Sequence, residues 1–368
     1  AGVRGAMDIP CRELPFFYFD DEAQEWLTYN PSSEAKESKA ESQRPQLDLG
    51  KDLVVLQYNI WFGEFQYRRR MEAIIEEVCR LEADIVCVQE MKPHMLKVFL
   101  EAPAIRASFF LSDIDGSTLG SYGVMQFSRY PYQRLTLNAM VTRLGRKALV
   151  GEFLLPSGPT GVLCGTCGVS FTQDAQPAPT CSCPQPWSPG KLDDCPSGPS
   201  DSDGVISGDE DYEEEAIVMG EPPVRRNVLA VATAHLESYP QDVSYRRAQM
   251  LRIFDILKPF EHAIFTADFN FAEVGEDGFF PPQFTDSYKA LHPDDEGYTF
   301  DSVNNPLIRE QKTKRSRIDR ILVKSSRWRP ASCQIVGKEP FDSAYPLMLP
   351  SDHFGVTAHL ECSPGDLL

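Results

Sequence analysis

Five short motifs that carry carboxylate, amide and imidazole side chains recur along this 368-residue sequence. Each follows a run of apolar residues that is typical of a buried β-strand. Because α/β sheets present functional side chains where strands give way to loops, we expect the motifs to meet at one site. They are Tyr58-Asn-Ile-Trp61, Gln89-Glu90, Ala234-His-Leu-Glu-Ser238, Ala267-Asp-Phe-Asn270 and Ser351-Asp-His353, with Arg317-Ile-Asp-Arg320 as a supporting motif.

The residue types in these motifs suit the hydrolysis of a phosphodiester with a bound magnesium ion. Mg²⁺ prefers oxygen ligands and takes one or two protein carboxylates, so Glu90 is the expected metal ligand. Asp268 can orient or deprotonate the attacking water. Asn59, Asn270 and His235 can donate hydrogen bonds to non-bridging phosphate oxygens.

His353 can hold positive charge against the phosphate, beside Asp352 and with Asp319 as an orienting carboxylate. Each motif alone has a simpler structural explanation, such as a helix cap, a turn or a local ion pair. The shared position of the motifs, each at the end of an apolar strand, favours a single catalytic site over those separate explanations.

The elements around the motifs predict a layered α/β domain. Strands over Leu53–Tyr58 and Asp84–Gln89 flank an amphipathic helix over Arg70–Leu81. Strand, helix and strand in close succession favour a sheet that is covered by helices. Further predicted elements are a helix over Ser244–Leu257 and strands over 123–127, 148–155, 227–235, 262–267, 318–323, 331–336 and 355–360.

Composition divides the chain into a catalytic domain over residues 51–362 and two less regular segments. Residues 1–50 are expected to be an irregular, partly disordered segment with a linker, although the aromatic stretch Phe16–Trp26 could form a short docking element. Residues 156–223 are an acidic, Pro- and Cys-rich insertion that we expect to be disordered. Eleven acids and one base lie within 191–222, so the net charge of −18 says little about the substrate groove.

Cysteine usage and hydropathy favour an intracellular protein, nuclear or cytoplasmic, with no membrane span. Cys79 and Cys87 lie in apolar runs and are expected to be buried free thiols. No apolar stretch approaches the roughly 20 residues that cross a bilayer. Cys164-Gly-Thr-Cys167 has the spacing of half a zinc site, but the downstream cysteines lack the matching half, which favours a solvated loop. A monomer is the default expectation.

The ordered set of motifs resembles the endonuclease/exonuclease/phosphatase superfamily, over about residues 51–362 without the insertion. The resemblance implies a deoxyribonuclease I-like four-layer α/β-sandwich, with two packed mixed β-sheets flanked by helices. It also implies Mg²⁺ as cofactor, with Mn²⁺ as a possible substitute. By the same resemblance, the catalytic residues are Asn59, Glu90, Asp268 and His353, and His235, Ser238 and Asn270 hold phosphate oxygens.

Three details within the superfamily resemble the 5′-tyrosyl-DNA phosphodiesterases. They are His235-Leu-Glu-Ser238 followed by Arg246 and Gln249, Asp286-Ser-Tyr with Tyr298-Thr-Phe-Asp301, and Arg317-Ile-Asp-Arg-Ile321 followed by Pro350-Ser-Asp-His-Phe-Gly355. The expected substrate is therefore a nucleic-acid 5′ end that bears a tyrosyl adduct. Phe300 can stack on a base or ring, and Ser238, Arg317, Arg320 and Asp352 complete the expected substrate-binding set.

Several positions depart from the family pattern and keep other substrates open. Trp61 stands where the family has Asp, with Glu64 as a possible substitute, and Ala272 stands where it has Arg. Ala267 replaces Gly, and Phe300 replaces Trp. The alternatives are a phosphodiesterase for RNA or for a lipid or inositol phosphate headgroup, and a non-catalytic scaffold. The basic run Arg309–Arg317 could grip nucleic-acid phosphates or be a solvated loop.

Overall fold

The chain divides into two compact units, Ala1–Pro156 with Val224–Leu368 and Ser157–Pro223. The computed structural model describes residues 10–30, 47, 50–155, 223–308 and 313–363, and the backbone alone at 161–163 and 170–172. In the second unit, Gly161–Leu163 and Ser170–Thr172 pair as antiparallel strands. The cysteine pair of the possible zinc site, the acidic run and most of the segment predicted to be disordered lie outside the described residues.

The described elements are the following. The strands are β1 (Cys11–Glu13), β2 (Phe16–Asp20), β3 (Glu25–Tyr29), β4 (Leu53–Asn59), β5 (Ile85–Met91), β6 (Phe110–Leu111), β7 (Gly123–Ser128), β8 (Arg134–Ala139), β9 (Lys147–Leu154), β10 (Gly161–Leu163), β11 (Ser170–Thr172), β12 (Arg225–His235), β13 (Phe260–Asp268), β14 (Thr285–Asp286), β15 (Phe300–Asp301), β16 (Arg315–Ser316), β17 (Asp319–Lys324), β18 (Trp328–Val336) and β19 (Gly355–Cys362). The helices are α1 (Tyr67–Arg80), α2 (Pro93–Glu101), α3 (Pro103–Ser108), α4 (Val243–Leu257) and α5 (Ser287–Leu291), with short 3₁₀ helices at Pro240–Asp242 and Glu276–Phe279.

Two mixed sheets pack face to face. One has the strand order β1-β8-β9-β12-β13-β17-β14, and the other has the order β18-β19-β4-β5-β7-β6-β2-β3. The core between them joins Val55 and Ile85 of the eight-stranded sheet to Leu229 and Ile264 of the seven-stranded sheet. Helices α1–α3 cover the outer face of the eight-stranded sheet, and α4 covers the outer face of the seven-stranded sheet. The predicted four-layer sandwich is confirmed.

Strand β4 shows why the sequence gives a two-sided buried strand. Its residues Leu53 and Val55 face the other sheet, while Leu56 and Tyr58 face helix α1. Both faces are buried, so the strand is an almost continuous apolar run rather than an alternating one. Helix α1 meets it with a matching stripe that includes Met71 and Ile74.

The prediction that residues 1–50 are irregular is wrong for residues 11–29. Strand β1 pairs with β8 at the edge of the seven-stranded sheet, and β2 pairs with both β3 and β6 in the other sheet. Phe16 and Tyr18 on β2 point into the core between the sheets. These strands are only three to five residues long, and the pairings β1–β8 and β2–β6 join distant parts of the chain, so local sequence periodicity carries little signal for them.

The prediction for Cys79 is also wrong, because this thiol is exposed whereas Cys87 is buried. In helix α1 the buried stripe runs through Ile74, Ile75 and Val78, and the helical rotation places Cys79 on the solvent side. Among the described residues, no helix combines the length and apolar character that crossing a bilayer requires.

Candidate active site

The catalytic candidates meet at one edge of the sandwich because four of their strands end there, while the strands that carry or follow Asp319 and His353 begin there. Asn59 ends β4, Glu90 is next to last in β5, His235 ends β12 and Asp268 ends β13. In the seven-stranded sheet Asp268 lies opposite both His235 and Asp319 in register. His353 follows in the loop that precedes β19. The sequence-based expectation that these motifs share one edge therefore agrees with the structure, but Ser351-Asp-His353 precedes a strand and does not end one as predicted.

Asn59 links the two sheets at this edge. Its side-chain Nδ2 donates to Oδ2 of Asp268 at 2.9 Å and to Oε1 of Glu90 at 3.3 Å. Its Oδ1 accepts the backbone N–H of Trp61 at 3.1 Å, and its carbonyl accepts the hydroxyl of Ser351 at 2.7 Å. A fully buried amide with all of these partners fixes the relative positions of two carboxylates.

Glu90 adopts a left-handed backbone conformation, with φ of 66°. Such a conformation is strained for a residue other than glycine and is common at functional sites. Its Oε2 accepts the backbone N–H of Phe62 at 2.9 Å. Burial raises the pKa of Glu90, and the nearby Asp268 raises it further, against the opposing effect of His353.

His235 is held as a neutral donor. A guanidinium always donates, so the contact of 2.9 Å between Arg146 and Nδ1 of His235 requires Nδ1 to be the acceptor. The proton of the neutral ring then lies on Nε2, which is 3.4 Å from Oδ2 of Asp268. Burial, Arg146 and His353 together lower the pKa of His235 well below its ordinary value.

Asp268 receives donors on both oxygens, since Oδ1 accepts the backbone N–H of Asn270 at 2.9 Å. Burial and the neighbouring carboxylate of Asp319 nevertheless raise the pKa of Asp268 to about 6. A carboxylate with this pKa is ionised at neutral pH and is still basic enough to accept a proton.

His353 is the cationic counterpart of His235. Its Nδ1 lies 2.9 Å from Oδ2 of Asp319, and its Nε2 lies 3.9 Å from Oδ2 of Asp268. Burial opposes the imidazolium, but Asp319, Asp268 and Asp352 outweigh burial and raise the pKa of His353 well above its ordinary value. The edge therefore presents one neutral and one charged imidazole on either side of Asp268.

A metal ion fits the charge of this edge. Asp268, Asp319 and His353 offer ligand atoms that all lie within 4.8 Å of one another, a set that could hold a metal ion. Burial raises the pKa of Glu90 as well as those of Asp268 and Asp352, the latter two to about 6. When these carboxylates and that of Asp319 are ionised, His353 alone cannot neutralise them, and a bound cation would stabilise the ionised forms.

Four of the remaining substrate-binding candidates lie at or near the catalytic edge. Phe300 lies against the catalytic edge, with its ring 5.2 Å from that of His353, and Asp352 is adjacent to His353 in sequence. Asn270 donates from Nδ2 to the carbonyl of Leu236 at 3.1 Å, and Ser238 is exposed beyond the end of β12.

Arg317 and Arg320 are engaged inside the protein. Both donate to Oδ2 of Asp286, at 2.7 Å and 2.9 Å respectively. Arg320 also donates to Asp277 at 3.2 Å. Substrate contact by these two arginines stays a prediction. Residues 309–312, which begin the basic run, lie outside the described part of the chain.

Glu64 does not replace the missing family aspartate at the catalytic edge. Its carboxylate pairs instead with Lys92 and His94, and its side chain is 61% exposed. Trp61 adopts a φ of 57° and stacks on the guanidinium of Arg70, 4.5 Å from the ring centroid. At Ala272 the backbone N–H donates to Glu276 at 2.8 Å.

The sequence motifs missed Tyr122 and Arg146. The guanidinium of Arg146 lies 5.4 Å from the centroid of the Tyr122 ring, and that ring lies 6.3 Å from His235. Neither residue ends an apolar strand, so no periodicity marks them. A basic residue at the start of the predicted strand 148–155 was the one available signal, and it is not specific.

Arg70 joins the two loops that carry catalytic groups. It is fully buried, and it donates to the carbonyls of Phe65, Ile60, Trp61, Gly63 and Pro350. The first four carbonyls belong to the loop whose backbone binds Glu90, and the fifth precedes the Ser-Asp-His motif. One side chain therefore holds both loops in place.

The Arg70→Met variant is expected to be destabilised by roughly 3 kcal/mol, because buried carbonyls lose their donor. Arg69→Met is the matched control, since the half-exposed Arg69 pairs with Asp342 and lies over the rings of Phe341 and Tyr345 at the surface, and its loss should cost about 1 kcal/mol. Urea unfolding measures both free energies of unfolding. Equal losses in the two variants would contradict the role of Arg70.

A four-layer sandwich with this set of amide, carboxylate and imidazole groups at one edge defines the deoxyribonuclease I-like fold of phosphodiesterases and phosphatases. The sequence matches the endonuclease/exonuclease/phosphatase family over residues 56–353, and the chain belongs to that family. Members of this fold are hydrolases, among them nucleases, phosphodiesterases and phosphatases. No curated protein matches the chain.

Solved structures of similar fold include two of the protein TDP2. That of D. rerio TDP2 complexed with a single-strand DNA product is 17% identical, with a TM-score of 0.57, and covers 84% of this chain and 99% of that one. That of C. elegans TDP2 is 15% identical, with a TM-score of 0.58, and covers 88% of this chain and 78% of that one. At these identities the likeness shows the fold, which agrees with the resemblance of the motifs.

Proposed function

We propose that the chain is a magnesium-dependent phosphodiesterase that cleaves a phosphodiester at a nucleic-acid 5′ end bearing a tyrosyl adduct. The observation that carries the proposal is the contact of Asp268 with Asn59 and His235, beside the His353–Asp319 pair. A carboxylate base between a neutral and a cationic donor suits a phosphate, whose oxygens gain negative charge during hydrolysis.

Glu90 is the proposed ligand of Mg²⁺, with Mn²⁺ as a substitute. Among the described residues each of its oxygens receives one hydrogen bond, from Asn59 or from the Phe62 backbone, and a carboxylate has about four acceptor positions. His353 is less suited, because a protonated imidazole has no free lone pair. When bound, the ion polarises a phosphate oxygen and offsets the developing charge.

The other residues at the catalytic edge have separate roles in the proposed hydrolysis. Asp268 orients a water molecule and accepts its proton as the water attacks. The neutral His235 donates from Nε2 to a non-bridging oxygen of the phosphate, while Asn59 holds the Asp268 and Glu90 carboxylates in position. The imidazolium of His353, fixed by Asp319, stabilises charge on the phosphate. The backbone N–H of Asn270 donates to Oδ1 of Asp268 and so helps to fix the orientation of this carboxylate.

The substrate part of the proposal rests on the motif resemblance and on the fold shared with TDP2, which binds a single-strand DNA product in the D. rerio structure. The position of Phe300 beside His353 supports it, because an aromatic ring there can stack on the terminal base. The exposed ring of Phe62, which stacks on Tyr122 at 5.0 Å, offers a second aromatic surface near His235.

The experiment compares a 5′-phosphotyrosyl oligonucleotide, an RNA strand and a generic aryl phosphodiester in the presence of Mg²⁺. Efficient cleavage of the tyrosyl substrate is the expected result. Cleavage of only the generic ester would redirect the proposal to another phosphodiester, such as RNA or a lipid or inositol headgroup. No metal-dependent cleavage of any substrate would favour a scaffold role.

Activity is expected to fall as the pH drops below about 6, because Asp268, with its pKa of about 6, must be ionised to accept a proton. His353 stays protonated through neutral pH, since its pKa is raised well above the ordinary value. A nearby cation stabilises a carboxylate, so saturating Mg²⁺ should move the acid limb to lower pH. A pH–rate profile at limiting and saturating Mg²⁺ measures this, and identical acid limbs would contradict it.

A further inference from the structure

Gln57 lies beneath the catalytic edge and bridges the two sheets. Its side chain is fully buried on β4, two residues before Asn59. Its Nε2 donates to Oδ1 of Asp319 on β17 of the opposite sheet, at 2.9 Å. Residues Leu53 and Val55 on the same face of β4 are apolar, so a polar side chain at this depth requires a reason.

Asp319 uses its two oxygens for two different partners. Oδ1 accepts from Gln57, and Oδ2 bonds to Nδ1 of His353 at 2.9 Å. The backbone N–H of Asp319 donates to the hydroxyl of Thr299 at 3.1 Å. Because each oxygen has its own donor, the carboxylate cannot rotate without leaving a buried oxygen unpaired, which costs about 1–3 kcal/mol.

The orientation of the Gln57 amide follows from the same contact. Its Oε1 has no partner among the described residues, and turning the amide over would place that oxygen against a carboxylate. Asp319 therefore sets which end of the amide faces it. The Gln57 amide therefore donates from Nε2 to Asp319, and Asp319 is its hydrogen-bond partner among the described residues.

We propose that Gln57 is a positioning residue for phosphodiester hydrolysis, which holds Asp319 so that the His353 imidazolium keeps one orientation towards the phosphate. The proposal rests on the proposed function. A glutamine suits this position because its amide donates without adding charge. A lysine or arginine would compete with His353 for Asp319, and a glutamate would repel it.

The alternative is that Gln57 only fills buried space. Gln126 provides the matched control, because it too is fully buried and crosses between the sheets, from Nε2 to the carbonyl of Val231 at 2.8 Å. Within the described part of the chain, its side-chain hydrogen bonds reach only the carbonyls of Val231 and Leu149, and neither residue is a catalytic candidate. Replacing either glutamine by methionine removes a buried amide of similar size, but only one replacement releases Asp319.

The test is a double-mutant cycle on the phosphodiesterase substrate. Gln57→Met should lower kcat by about 10- to 100-fold, as the loss of an outer-shell partner does, with KM nearly unchanged. Gln126→Met should leave kcat within about twofold, since distant buried sites act independently. In an Asp319→Asn background, Gln57→Met should have little further effect, because the two residues act through one contact.

Two kinetic results would overturn the proposal: an unchanged kcat in Gln57→Met, or effects of Gln57→Met and Asp319→Asn that simply multiply. A spectroscopic measurement keeps the inference separate from the substrate. The proton NMR signal of Nδ1–H of His353 should shift or broaden in Gln57→Met and stay in place in Gln126→Met. If the wild-type protein cleaves no phosphodiester, the proposed function fails, while this signal still decides whether Gln57 controls His353. An unmoved signal in Gln57→Met would overturn that control as well.

Discussion

The Asp268→Asn variant is expected to fold normally and to lose about 10²- to 10⁴-fold of its phosphodiesterase activity, the usual contribution of a general base. Asparagine has the size of aspartate but cannot accept a proton from water. Its amide would also place donor hydrogens towards Asn59 or His235, both of which donate to Asp268 in the native protein. Steady-state kcat on the preferred substrate is the measurement.

A half-buried aspartate at the other end of the sheet, Asp84, controls for the general effect of the substitution. Asp84 precedes β5 and accepts the backbone N–H of Val54 at 2.8 Å, away from the catalytic edge. Asp84→Asn should lower the melting temperature while kcat stays within about twofold. Comparable losses of kcat in the Asp84 and Asp268 variants would remove Asp268 from the catalytic role.

The sequence predicted the parts of the site that lie at the ends of apolar strands. Asn59, Glu90, His235 and Asp268 each follow a run whose composition predicts a buried strand, and the sheet edges bring them together. The strand boundaries shifted by one or two residues at most of these positions, and that did not move the motifs. The local hydrophobic pattern was sufficient because these catalytic side chains lie at the ends of the apolar runs that predict the strands.

Residues that reach the site by packing between elements were not predictable in this way. Arg146 reaches His235 from the start of β9, and Tyr122 reaches it from the loop before β7. Gln57 had a partial signal, since the alternation in β4 puts it on the same face as Asn59, but its partner Asp319 belongs to the other sheet. Such cross-sheet pairs depend on sheet register and packing, which local periodicity does not encode.

The same reasoning explains the Arg317-Ile-Asp-Arg320 motif. The sequence placed two arginines beside Asp319 and suggested phosphate contacts for both. The structure gives each of them a carboxylate partner, Asp286, from the strand that pairs with β17. A sequence motif shows that charge is present, but the partner from another strand decides whether that charge remains available to a substrate.

The Glu90→Gln variant is expected to need at least about 10-fold more Mg²⁺ for half-maximal activity, because a neutral amide replaces the anionic ligand. The hydrogen bond from the Phe62 backbone can persist to the amide oxygen, so the loop should stay in place. Magnesium titrations of activity measure the shift. Magnesium-induced stabilisation in thermal unfolding supplies a readout that does not depend on turnover.

Asp319→Asn separates the two possible metal positions. If Glu90 is the ligand, this variant should lose kcat through His353 while its Mg²⁺ dependence stays close to that of the native protein. If the ion lies instead among Asp268, Asp319 and His353, the ligand atoms within 4.8 Å of one another, Asp319→Asn should weaken Mg²⁺ binding and Glu90→Gln should not. The two titrations therefore distinguish Glu90 from the Asp268–Asp319–His353 set as the metal site, and an unchanged Mg²⁺ requirement in Glu90→Gln would contradict Glu90 as the ligand.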